Sequence, residues 1–127
     1  MNLEKVIFAF FIVLALTLNF GFFIGEVDKI GHHDAMELAA ALAVSLIATV
    51  LKFGDRSQMG AVLLATSLVA DLQLLLAAFI WGYMANASPS GLGESEVVRI
   101  VSLSGGALLA NLVSVTLLVA ETITIRR

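Results

Sequence analysis

Four stretches of this chain are long, apolar and almost free of charge: residues 6–25, 35–54, 61–84 and 99–123. Each is about 20 residues or longer, the length a helix needs to cross a hydrocarbon core of roughly 30 Å. That core offers no water to backbone N–H and C=O groups, so a segment inside it must close its own hydrogen bonds. Four segments are too few for a closed barrel, and none of them alternates polar with apolar residues. Helices are therefore the expected form. Composition agrees: charged residues are 13% of the chain, against about 25% in a soluble domain. So little polar surface cannot coat a water-soluble globule. The fold class expected is all-α, an integral membrane protein.

The links between the stretches are short. Segment 26–34 is polar, segment 54–60 is bracketed by glycines, and segment 86–96 carries Pro89 with serines and glycines. Short links make sequential helices antiparallel neighbours, which predicts an up-down-up-down four-helix bundle forming one transmembrane domain over residues 1–127. The first apolar run is longer than the ~7–15-residue core of a signal peptide and lacks a small-x-small cleavage site, so it reads as a retained helix. Lys5, Lys52, Arg56, Arg126 and Arg127 flank one side of the spans, against Lys29 and Arg99 on the other. Positive residues favour the cytoplasmic side, which places the N and C termini in the cytoplasm. Trp81 and Tyr83 then fall at the outer interface, where amphipathic rings are favoured.

Several functions are disfavoured by what is present. The net charge is −3 with no basic cluster, which argues against a nucleic-acid surface. There is no cysteine, so disulfides and thiolate sites are excluded. No nucleophile–base pair and no glycine-rich phosphate loop stands out, and the reading is a non-enzyme without a cofactor.

The chemistry-bearing residues lie inside the apolar runs. Asp71 is close to the middle of span 61–84. An aspartate at that depth costs roughly 2.5–3.5 kcal/mol and must face the bundle interior or a wet cavity. Span 99–123 holds Ser104, Ala107, Asn111, Ser114, Leu118 and Glu121 at spacings of three and four, which puts them on one helical face. Asn111 is at mid-span, at the depth of Asp71. Ser67 is one turn before Asp71, and Gln73 is close by. A second small-and-polar stripe runs through Glu37, Ala41, Ser45, Ala48 and Lys52, and Asn19 lies in the outer third of the first span. The expectation is one polar seam of Asp71, Asn111, Ser67 and Ser114, with Gln73 beside it and Glu121 and Asn19 as outlying members. Glu121 is expected to answer Arg126 and Arg127. Intramembrane acids are usually functional, so Asp71 is the candidate cation or proton site. The competing view is that these groups are hydrogen-bonded glue between helices, at ~0.6–2 kcal/mol each. A weaker signal is the polar trio His32, His33 and Asp34, whose residue types bind metals but whose adjacency suits a solvated loop better.

The runs NLEKVIFAFFIVLALTLNFGFFIGE, ATVLKFGDRSQMGAVLLATSLVADLQL and SLSGGALLANLVSV together resemble a family of small, uncharacterised bacterial inner-membrane proteins. That resemblance implies four helices and a bacterial inner (cytoplasmic) membrane, and it carries no activity to transfer. Two other groups of this size fit poorly. Small multidrug antiporters need an acid in the first span, and here Glu4 precedes it. Dual-topology fluoride channels have balanced flanking charge and a phenylalanine-rich third span, where this chain is biased and carries Asp71.

Two functional readings follow. In the first, the protein belongs to an ion-transport assembly, as a homo-oligomeric cation or proton pathway or as an accessory subunit of a larger membrane-protein partner. In the second, it is a structural or interaction protein of the lipid bilayer whose seam only holds the helices together.

Overall fold

The computed structural model describes residues 3–24, 35–87 and 93–126, and among them every regular element is an α-helix. These are α1 (Leu3–Phe23), α2 (Ala35–Lys52), α3 (Gln58–Ala87) and α4 (Glu94–Arg126). They fall on the four apolar stretches in order. α3 and α4 run about a turn past those stretches at each end, because caps rather than hydropathy set where a helix starts. The Ser57 hydroxyl accepts from the Gly60 backbone N–H at 2.9 Å and so caps α3. Gly93 and Glu96 do the same for α4: the Glu96 carboxylate accepts from the Gly93 N–H at 2.8 Å, while the Gly93 carbonyl accepts from Val97 N–H at 3.1 Å.

Each helix packs on its neighbours in sequence, and α4 returns to α1 to close the ring. Lys5 in the first turns of α1 reaches Glu121 near the end of α4, at 3.7 Å. The start of α1 and the end of α4 therefore lie at one end of the bundle, which is called the terminal end below. The turn between α2 and α3 lies at the same end, since Leu51, Lys52 and Gly54 share a cavity with Lys5 and Glu121.

Helices α1, α3 and α4 are long and apolar enough to cross a membrane. α2 has 18 residues, about 27 Å at 1.5 Å per residue, with Glu37 and Lys52 near its two ends. The packing is inside-out relative to a bundle in water. Phe10, Phe20, Leu72, Phe79, Leu109 and Ile123 are exposed, whereas Asn19, Ser45, Thr49, Ser67, Asp71, Ser104, Asn111 and Ser114 are buried.

The buried apolar side chains form two clusters. One lies toward the terminal end: Phe8, Ile12, Ala48, Leu63 and Leu118. The other fills the far half, with Phe22, Leu38, Ala41, Leu74 and Ile100 among its members and Trp81 packed against it. The boundary between the clusters is polar on every helix. Asn19 follows Ile12 on α1, Ser45 separates Ala41 from Ala48 on α2, Thr66 and Ser67 separate Leu63 from Ala70 on α3, and Asn111 and Ser114 separate Ala110 from Leu118 on α4. A polar belt thus crosses the middle of the bundle.

Candidate functional site

Asp71 is the one acid in that belt, and 5% of its surface is exposed. Its two carboxyl oxygens are held by α2. The Ser45 hydroxyl donates to Oδ1 at 2.6 Å, and the Thr49 hydroxyl is hydrogen-bonded to Oδ2. Ser45 and Thr49 stand four residues apart, so they lie one above the other on a single helix face. The Thr49 hydroxyl is also 2.9 Å from the Ser45 carbonyl of its own helix, the usual back-bond of a threonine in a helix interior. No lysine or arginine side chain pairs with Asp71 among the described residues. The site is a carboxyl held entirely by hydroxyls.

The remaining residues of the expected seam are all present, but the structure does not join them into one. Asn111 is fully buried, yet it does not hydrogen-bond to Asp71: neither its amide nitrogen nor its oxygen has a hydrogen-bond partner among the described residues. Both partners of Asp71 come from α2, because α3 turns that face toward α2 rather than α4. Ser67 is fully buried and unpartnered among the described residues. Ser114 is bonded to Thr66 on α3. The Thr66 hydroxyl is also 2.9 Å from the Leu63 carbonyl of its own helix, and either hydroxyl of the pair can donate to the other. The Gln73 amide lies against Gly106 of α4, where any side chain would strike it, and its oxygen is unpartnered. That contact explains Gly106, and the Phe23 ring against Gly105 explains the other glycine of the pair. Asn19 on α1 and Ser104 on α4 are buried and, among the described residues, unpartnered as well. Glu121 sits apart from the belt and pairs with Lys5; Arg127 and the side chain of Arg126 lie outside the described residues, as do His32, His33 and Asp34. Among the described residues no group of three or more acids or histidines could hold a metal.

Sequence reading missed Thr49 and Thr66. Thr49 had a signal. In an apolar helix, a serine and a threonine at i and i+4 present two hydroxyls to one neighbour, and a carboxyl facing them can use both.

A second polar feature lies at the terminal end. A cavity of about 600 Å³ is lined by Glu4, Lys5, Lys52, Asp55, Arg56 and Glu121, among others. Lys52 enters it from α2, one turn beyond Thr49. It is 7% exposed, its ammonium is 3.3 Å from Asp55, and it lies 4.3 Å over the Phe8 ring. A cation on an aromatic face is held by the ring's negative quadrupole, so this lysine is fixed from two sides. Asp55 accepts from the hydroxyl and the backbone N–H of Ser57, at 2.7 and 2.9 Å. Those two bonds, with Lys52 adding to them, hold its carboxyl well below the usual range, at about 2.

The fold and this site define a class: an all-helical bundle with three helices apolar enough to span a membrane and a hydroxyl-held carboxyl at its centre. Residues 32–122 match DUF6394, a family of unknown function, and the chain belongs to that family. The match contains Ser45, Thr49, Asp71 and Asn111, while Asn19 precedes it. No curated protein and no solved structure matches the chain.

Proposed function

We propose that this protein is a small multi-pass component of an ion-transport assembly, with Asp71 as its ion-binding group. One observation carries the reading: a carboxyl buried near the middle of a 30-residue apolar helix, with no basic partner among the described residues. Burying a charge without a counter-charge is expensive. A site that keeps a carboxyl there is suited to a group that must gain and lose a positive ion. The assembly is either a homo-oligomeric pathway or a subunit beside a larger channel or transporter, because the interior of four helices is filled by side chains. The proposed setting is a bacterial inner membrane. All four helices cross it, α2 included, since a helix of about 27 Å meets a core of roughly 30 Å by local thinning. The bias of lysine and arginine toward the terminal end puts that end in the cytoplasm.

The test is flux in liposomes holding the purified protein, measured for protons, sodium and potassium, with the wild type beside Asp71→Asn. Flux that disappears in the variant supports the reading. A wild type that passes no ion, alone or with a membrane partner it co-purifies with, overturns it.

One observation favours the alternative, a non-transporting bundle. Both oxygens of Asp71 are hydrogen-bonded across the α2–α3 contact, which is also how polar residues fasten helices together. Under that reading Asp71→Asn leaves every activity of the assembly unchanged.

A further inference from the structure

The hydroxyls around Asp71 say which ion the site takes. We infer that it is a proton, and that Thr49 is the hydroxyl that switches when the proton comes and goes. This deepens the reading of Asp71 as an ion site and rests on it.

The argument is a count of protons and lone pairs. A hydroxyl has one proton to donate. The Ser45 proton goes to Asp71 Oδ1. The Thr49 oxygen is within hydrogen-bonding reach of two acceptor atoms, Asp71 Oδ2 and the Ser45 carbonyl oxygen, and it can donate to only one of them. Two arrangements satisfy the geometry. With Asp71 ionised, Thr49 donates to Oδ2 and leaves the Ser45 carbonyl to its backbone bond alone. With Asp71 protonated, the O–H bond is on Oδ2, Asp71 donates to Thr49, and Thr49 donates to the Ser45 carbonyl. The protonated arrangement uses every short contact in the cluster at once. Proton binding forms one O–H bond on Oδ2 and turns one hydroxyl, and no heavy atom has to move.

A metal cation does not fit the same atoms. It binds oxygen lone pairs, and hard cations take several of them. The oxygens at this site are joined to each other through hydrogens: Ser45 to Oδ1 and Thr49 to Oδ2. Seating a cation between them would break both bonds and point two hydroxyl protons away from their acceptors. Among the described residues, the surroundings supply no further carboxylate. The charged groups on the elements around Asp71 stand toward the bundle ends: Glu37 and Lys52 on α2, Glu4 and Lys5 on α1, Glu96, Arg99 and Glu121 on α4, with Asp55 and Arg56 in the turn before α3. The nearest along α2 is Lys52, one turn beyond Thr49, and it is already engaged by Asp55 and the Phe8 ring. A proton leaves the site neutral without help from any of them.

The test reads the proton directly. Infrared spectra of the purified protein in lipid nanodiscs, in water and in deuterium oxide, are compared for the wild type, Asp71→Asn, Thr49→Val and Thr49→Ser, each checked for helical content. The expected result is a protonated-carboxyl band in the wild type that is absent in Asp71→Asn, shifts in Thr49→Val and returns to its wild-type position in Thr49→Ser. Liposome flux is expected to be of protons and to be unchanged when sodium is replaced by potassium or by a large organic cation. Sodium or potassium flux that is lost in Asp71→Asn overturns the proton and keeps Asp71 as an ion site. A wild type with no carboxyl band assignable to Asp71 overturns the proton. A carboxyl band that behaves as expected with no flux of any ion keeps the proton at Asp71 and overturns transport instead.

Discussion

Two sides of the bundle interior treat buried polar groups in opposite ways. Where α2 meets α3, Ser45, Thr49 and Asp71 satisfy one another. Around α4, the Asn111 amide, Ser104 and the Gln73 oxygen are unpartnered among the described residues, with Asn19 on α1 and Ser67 on α3 in the same condition; Ser114 with Thr66 is the exception. Both regions are equally buried, so burial does not explain the contrast. Their polar contents differ. A carboxyl accepts from several donors at once, and two hydroxyls on one helix face are enough to fill it. A primary amide needs acceptors for its N–H groups and a donor for its oxygen in fixed directions, and among the described residues Asn111 meets neither. The α2–α3 side is a closed network, and the α4 side is a row of open hydrogen-bonding capacity in an apolar helix.

This contrast can be broken by experiment. Removing both hydroxyls with Ser45→Ala and Thr49→Val has the largest expected effect. It strips Asp71 of its partners and costs about 3 kcal/mol, given the penalty for leaving a buried polar group unsatisfied. Unfolding by sodium dodecyl sulfate in mixed micelles, followed by circular dichroism, measures it, and a loss near zero would show that the closed network contributes nothing. Asn111→Leu is expected to go the other way. It swaps an unpartnered amide for an apolar side chain of similar shape, so stability should rise by about 1–2 kcal/mol. A marked loss would mean that the amide has a partner in the working protein, such as a transported ion or another subunit.

Two smaller effects sharpen the picture away from the belt. Asp55 has its folded-state pKa lowered from 3.8 to about 2. A group with a depressed pKa contributes stability that is present above its unfolded value and lost as pH falls through its folded value. The start of α3 should therefore hold above pH 3.8 and loosen as pH approaches about 2, and Asp55→Asn should remove that pH dependence from hydrogen exchange of the Ser57–Gly60 amides. Gly106→Ala should be milder still, about 0.5 kcal/mol, because the group it strikes is the far end of the flexible Gln73 side chain and the alanine regains helix propensity. A cost several times larger would show that Gln73 is fixed in place, and would make the α4 side more ordered than its missing hydrogen bonds suggest.

The hydropathy of this sequence determined a good deal by itself. Each residue adds its transfer free energy wherever the chain folds, so long apolar runs and a low charge fraction fix the number of helices, their rough bounds and the position of Asp71 along its helix without any knowledge of contacts. The stripe of Ser104, Ala107, Asn111 and Ser114 also identified a face of α4 that is buried. The sequence did not determine which helix Asp71 would face. α3 is apolar almost all the way round, and such a helix has no preferred inward side of its own. Its rotation is set by what packs against it: Gln73 seated on Gly106 and the Thr66–Ser114 bond toward α4 leave Asp71 pointing to α2. Position along a helix is a one-dimensional property that a sequence carries locally. Rotation about the helix axis depends on side chains from other helices at once, and only the tertiary structure brings those together.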